Sequence, residues 1–242
     1  MFSFSSIFGS TSLALRCSLS SMPFPILYKN MKDTHNPEKS VVPFLDKHDI
    51  FSILSYSVCT FIYAKNINSD SLFVIITYAF VSLLYFIYLN MFLYIISMKR
   101  YMLLVTLSIV SIAYVFLYVS QIIIVIMCLL LCLINCIRPI KSNRDMLLKV
   151  NIEEISLANL LSENVISFFW IIYGTINQLY SFTLCNCIFF MIDITGMISY
   201  SYGKGGLKED NCAIRLLKKI YRIKEEPLVD NLKEKILKNE EI

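Results

Sequence analysis

Long uncharged apolar runs, broken by short clusters of charge, set the pattern of this chain. Residues 71–98 carry no charge over 28 positions, and Lys99 and Arg100 close the run. Residues 101–137 are again uncharged, over 37 positions. One helix of that length would rise about 55 Å against a hydrocarbon core of roughly 30 Å. Two shorter helices with a turn near Ser120 and Gln121 fit instead. Four further runs are apolar but less pure. Residues 5–27 are Ser-rich and contain Arg16, residues 48–64 follow a charged start, residues 155–175 contain Glu163, and residues 179–202 contain Asp193. The pattern therefore predicts seven transmembrane helices in an all-α integral membrane protein. The opening MFSFSSIFGS has neither a basic lead nor a small-residue cleavage motif, so it reads as the start of the first span.

Charge supports that count. Lys29, Lys32 and Lys39 follow the first span, Lys99 and Arg100 the third, Arg138, Lys141, Arg144 and Lys149 the fifth, and a basic tail the seventh. The alternate connections hold only Lys65. Positive loops stay on the cytoplasmic side, so the amino terminus is expected outside and the carboxyl terminus in the cytoplasm, with the plasma membrane as the expected location.

Composition excludes most other classes. Hydrophobic residues make up 57% of 242 positions and charged residues 17%, whereas a soluble domain carries roughly a quarter charged. The net charge of +4 is no sign of a nucleic-acid partner, because ten of the 22 Lys and Arg lie in residues 204–242 among eight Asp and Glu. No nucleophile–base pair or metal-ligand cluster stands at a plausible depth, so neither an enzyme nor a cofactor is expected. Cys128, Cys132 and Cys136 recur every fourth residue and share one helix face. Without His or acid beside them they read as small side chains packing between helices rather than a soft-metal site. In the tail, Ile214, Leu217 and Tyr221 share a face ringed by Arg215, Lys218, Lys219 and Arg222. That pattern is either an amphipathic helix applying its apolar face to anionic lipid or a solvated basic stretch.

The chain also resembles itself. TFIYAKNIN from Thr60 aligns with WIIYGTIN from Trp170 at a shift of 110 positions, matching Thr60 to Trp170, Tyr63 to Tyr173 and Ala64 to Gly174. Spans one to three then repeat as spans five to seven. An odd linker helix makes the triplets parallel, which puts a solute site between the halves near the midplane. The expected units are residues 1–98, 99–120 (the linker helix), 121–203, and a charged cytoplasmic tail at 204–242.

These residues carry a family resemblance. The segment NVISFFWIIYGTINQLYSFTLCNCIFFMIDITGMISYSY, residues 164–202, resembles the last two helices of SWEET-type sugar transporters, which are related to the PQ-loop group. The order Trp170, Tyr173, Gly174, Asn186 carries it. SMPFPILYKNMK, residues 21–32, resembles that family's proline-containing first helix, and Pro139 stands where the second triplet's proline belongs. The resemblance implies two parallel triple-helix bundles joined by a linker helix (3+1+3), facilitative bidirectional transport of a small neutral sugar by alternating access, and association into a homo-oligomer. It assigns sugar binding to Asn186 and Trp170, opposed by Tyr78 and Thr60, with Pro23, Pro139 and Pro43 as hinges. The residue types suit that task. An amide pairs with hydroxyls of either polarity, an indole offers a flat apolar face, and neither adds ionic desolvation.

The first half departs from the family pattern. Its pocket Asn falls near Thr77 or Tyr78, Thr60 replaces the Trp, and Ser156 replaces a proline at the start of the sixth span. Pro43 lies about six residues early, with His48 and Asp49 at the better-spaced position. Two other readings remain open: a proton-coupled PQ-loop-type carrier of amino acids or similar solutes using Asp193, although no Pro-Gln pair is present, and a membrane scaffold with a degenerate pocket that transports nothing.

Overall fold

A helix satisfies its own backbone, so it can cross hydrocarbon without water to pair its N–H and C=O groups. The computed structural model describes residues 4–25, 28, 47–67, 71–95, 107, 111, 114, 118, 120–150, 152 and 156–223. Among them there is no strand. The helices are α1 (Phe4–Ser21), α2 (Lys47–Ile67), α3 (Leu72–Ile95), α4 (Gln121–Leu147), α5 (Leu157–Ile176), α6 (Tyr180–Gly203) and the short α7 (Cys212–Ile220). Helices α3 to α6 are each long and apolar enough to span a bilayer. Of the expected linker helix at 99–120, Leu107, Ser111 and Tyr114 are helical and most of the segment lies outside the described residues. Pro43 and the loop cations Lys29, Lys32, Lys39, Lys99 and Arg100 lie outside them as well.

The outer surface has the polarity of a membrane protein. Leu72, Ile76, Phe80, Leu83 and Ile87 form an exposed stripe along α3, and Ile122, Ile126, Leu130, Leu133 and Ile137 form one along α4. Stripes of that size would drive aggregation in water; in a bilayer they meet lipid. Hydroxyls within the spans bond their own helix four residues back, as Ser57 Oγ does to the Ile53 carbonyl at 2.7 Å and Thr77 Oγ1 to the Phe73 carbonyl at 2.6 Å.

The bundle is built from two groups with the same packing order. Helix α3 lies between α1 and α2, and α6 lies between α4 and α5. Across the boundary α1 meets α5 and α2 meets α4. Cys128, Cys132 and Cys136 are buried on α4 with Tyr56, Cys59, Trp170 and Cys185 in one cluster drawn from both groups. All eight cysteines are free thiols. Gly196 lets α4 approach α6, since a Cβ there would lie 2.9 Å from Asn143 Oδ1.

Two helix ends differ from the sequence expectation, and both differences involve proline. The first span was expected to run to residue 27, but α1 stops at Ser21 and Met22 and Pro23 form a turn. Pro23 has no N–H to continue the helical ladder, and the Met22 N–H instead closes a tighter turn on the Leu19 carbonyl at 3.2 Å. Phe24, Pro25 and Tyr28 are helical again beyond this break. The fifth span was expected to end at residue 137. Instead α4 runs ten residues further with Pro139 inside it, so Arg138, Lys141 and Arg144 sit on helix rather than in a loop.

The tail also needs a correction. Residues 212–220 are helical, but Ile214 and Leu217 pack on Leu147 and Tyr202 at the ends of α4 and α6, with Tyr221 alongside. The apolar face is thus covered by the protein itself and is not offered to lipid.

The Tyr88 hydroxyl donates to the Ser20 carbonyl at 2.7 Å, tying α3 to the last turn of α1, where carbonyls lack helical partners. Tyr88→Phe should lower stability by about 1 kcal/mol. Thermal unfolding of the purified protein in detergent, compared with wild type, checks this.

Candidate functional site

Helices that face lipid on one side must turn their polar residues toward each other, and here they enclose space. A cavity of about 640 Å³ lies between the two groups, lined by all six long helices. Such a volume suits a small solute. Its inner end is formed by Trp170 from α5, Asn186 from α6, Tyr78 from α3 and Tyr56 from α2. Its mouth is formed by Met22 and Pro23 beyond α1, Pro139 and Ser142 on α4, and Ser156 and Asn159 at the start of α5. Helix α6 ends on this same side and leads to the tail.

Rings packed edge to face close the inner end. Trp170 meets Phe182 at 5.3 Å and 79° and Tyr173 at 5.5 Å and 80°. Tyr78 meets Phe182 at 5.9 Å and 90° and Tyr56 at 6.0 Å and 80°. Each ring is held in place by the next, and such pairs add to the area they bury. Phe73 meets Tyr173 at 6.0 Å beyond this layer.

The polar equipment is sparse and aimed. Asn186 is buried, and its Nδ2 donates to the Phe182 carbonyl at 2.8 Å. That bond fixes the amide and leaves Oδ1 as an acceptor. The Trp170 indole N–H is buried with no hydrogen-bond partner among the described residues. An unsatisfied buried donor costs about 1–3 kcal/mol.

Three of the four residues assigned from the family resemblance line the cavity together: Asn186, Trp170 and Tyr78. Thr60 does not. It is buried on α2, one turn beyond Tyr56, which takes the lining place. The 110-residue alignment matches Thr60 to Trp170 in sequence, but α2 brings an earlier turn to the cavity than α5 does. Tyr56 was visible only as the residue four before Thr60 on the same helical face. Pro23 and Pro139 both stand at the mouth, one in each group.

Charge enters the cavity at mid-depth. Arg16 Nη1 of α1 donates to Glu163 Oε2 of α5 at 2.5 Å, joining the two groups across one boundary. Asp193 of α6 lines the cavity with them. The other boundary has a neutral tie: Ser52 Oγ of α2 donates to Asn135 Oδ1 of α4 at 2.7 Å, and Asn135 Nδ2 donates to the Leu131 carbonyl at 2.8 Å. Asn143 Nδ2 donates to the Ile192 carbonyl and to Thr195 Oγ1, both at 3.0 Å, binding α4 to α6 within the second group. None of these longer-range partnerships was legible in the sequence.

No family model matches this chain, and no curated protein matches it by sequence. A solved structure does. The 3.7 Å resolution structure of a eukaryotic SWEET transporter superposes with a TM-score of 0.68 over 83% of this chain and 97% of its own, at 13% identity. The two chains share a fold, so the resemblance read from residues 164–202 holds at the level of architecture.

Removing one partner of the Arg16–Glu163 pair strands a charge among helices. Glu163→Gln should destabilise by about 1–3 kcal/mol, below the value for a fully buried pair because the side chains are 22% and 41% exposed. Arg16→Met combined with Glu163→Met should cost less than the two single changes added together. A double-mutant cycle by thermal unfolding checks both.

Proposed function

We propose that this chain carries a small neutral sugar across a membrane in either direction by alternating access. The observation that carries this reading is the inner end of the cavity. An aromatic wall of Trp170, Tyr78 and Tyr56 meets the Asn186 amide there, and the shared fold with a SWEET transporter supports it. The sugar's C–H face stacks on Trp170, its hydroxyls bond Asn186, and Tyr78 and Tyr56 oppose from the first group. Thr60, buried on α2 away from the cavity lining, takes no part in holding the solute. With the orientation expected from loop charge, the mouth faces the cytoplasm, and Pro23 and Pro139 flex there while the two boundaries exchange which end is open.

A second reading is favoured by one specific observation. Arg16, Arg138, Glu163 and Asp193 line the cavity together, and Asp193 forms no ion pair among the described residues. A carrier that moves a proton with its solute uses such a carboxylate.

Uptake of a panel of labelled hexoses and disaccharides into transport-deficient cells tests the first reading. At least one is expected to enter, and Asn186→Ala should lower its uptake by about tenfold or more with surface expression unchanged. Normal uptake by that variant would remove Asn186 from the site. Asp193→Asn should leave sugar uptake insensitive to an imposed pH gradient, as wild type would also be if the first reading holds. Wild-type uptake driven by the gradient and lost in the variant would select the second.

A further inference from the structure

We propose that the outward face of α7 lies on anionic lipid headgroups at the side of the membrane where the cavity opens. This surface is independent of what the cavity carries. Helix α6 ends at Gly203, Gly205 takes a φ of 82° to reverse the chain, and the Asn211 side chain caps α7 by accepting from the Ala213 N–H at 2.9 Å. The inner face of α7 is occupied. Ile214 and Leu217 are 0% and 5% exposed against the ends of α4 and α6. Lys218 is turned inward as well, pairing with Glu209 and standing 5.3 Å from the centroid of the Tyr202 ring.

That anchoring fixes which residues point away from the bundle. Cys212, Arg215, Leu216, Lys219 and Ile220 are all exposed and fall at i, i+3, i+4, i+7 and i+8, so they form one face. Leu216 and Ile220 are 57% and 62% exposed, and the face carries two cations and no acid. Aliphatic side chains between cations, held beside the end of a span, match the boundary between headgroups and acyl chains. The attraction of such cations to an anionic leaflet acts within a Debye length, about 8 Å at physiological salt. A second copy is the poorer occupant, because a two-fold contact would set Arg215 and Lys219 against themselves.

Cys212 reports on this face, since it is the one exposed cysteine of the eight. The full chain is placed in nanodiscs of phosphatidylcholine, alone or with an equal part of phosphatidylserine, and labelled with an uncharged water-soluble maleimide. Labelling should be at least about fivefold slower in the mixed discs at low salt, the difference shrinking as salt is raised. In R215E/K219E the difference should vanish, and in the milder R215Q/K219Q, which guards against misfolding, it should be smaller than in wild type. Equal rates in the two lipids for wild type would overturn the proposal. So would a slowing shared by R215E/K219E, which reports surface pH alone. Protection in both lipids that grows with protein concentration would assign the face to a second copy and overturn it too.

Discussion

Hydrocarbon offers no partner to a polar group, and that constraint shapes each level of this molecule. It requires each span to pair its own backbone, as a helix does, and it turns hydroxyls such as those of Ser57 and Thr77 back onto carbonyls one turn earlier in their own helices. It directs amides and charges away from lipid and toward other helices. The polar side chains that remain, from Arg16 to Asp193, gather between the two helix groups and make the cavity wettable. The cavity is where the chain can keep polarity without exposing it to lipid.

The same constraint explains how the two groups hold together. Lipid tails are as apolar as leucine, so helix association there rests on packing and a few hydrogen bonds. Polar ties cross both boundaries between groups: Arg16 to Glu163 for α1 and α5, and Ser52 to Asn135 and Gln121 to the Asn66 carbonyl for α2 and α4. Within the second group, Asn143 and the close approach at Gly196 bind α4 to α6. Helix α1 packs on α5 across the boundary at least as closely as it packs on α3 within its own group.

Polarity also explains the end of the chain. Beyond Gly203, water is available again and charge returns to the sequence. Helix α7 uses its most regular apolar face, Ile214 and Leu217, to cap the bundle. What it presents outward is decided by that docking, because a helix fixed along one face has no freedom left to choose the other.

The sequence by itself determined the fold class, the number and bounds of most spans, and three of the residues that meet at the inner end of the cavity. Span length and the exclusion of charge act on one segment at a time, so they are written in local composition. The order Trp170, Tyr173, Gly174, Asn186 is equally local, lying within two consecutive helices. Only the tertiary structure decided how each helix is turned about its axis. Helix α3 is apolar all round and its hydrophobicity marks no inner face, so Tyr78 was placed only by what α2 and α6 pack against it. Rotation and depth also put Tyr56 rather than Thr60 at the cavity. They brought Arg16 to Glu163 across 147 positions of chain and turned the apolar side of α7 inward instead of toward lipid. Such pairings depend on the shape of a neighbour, which no single run of residues contains.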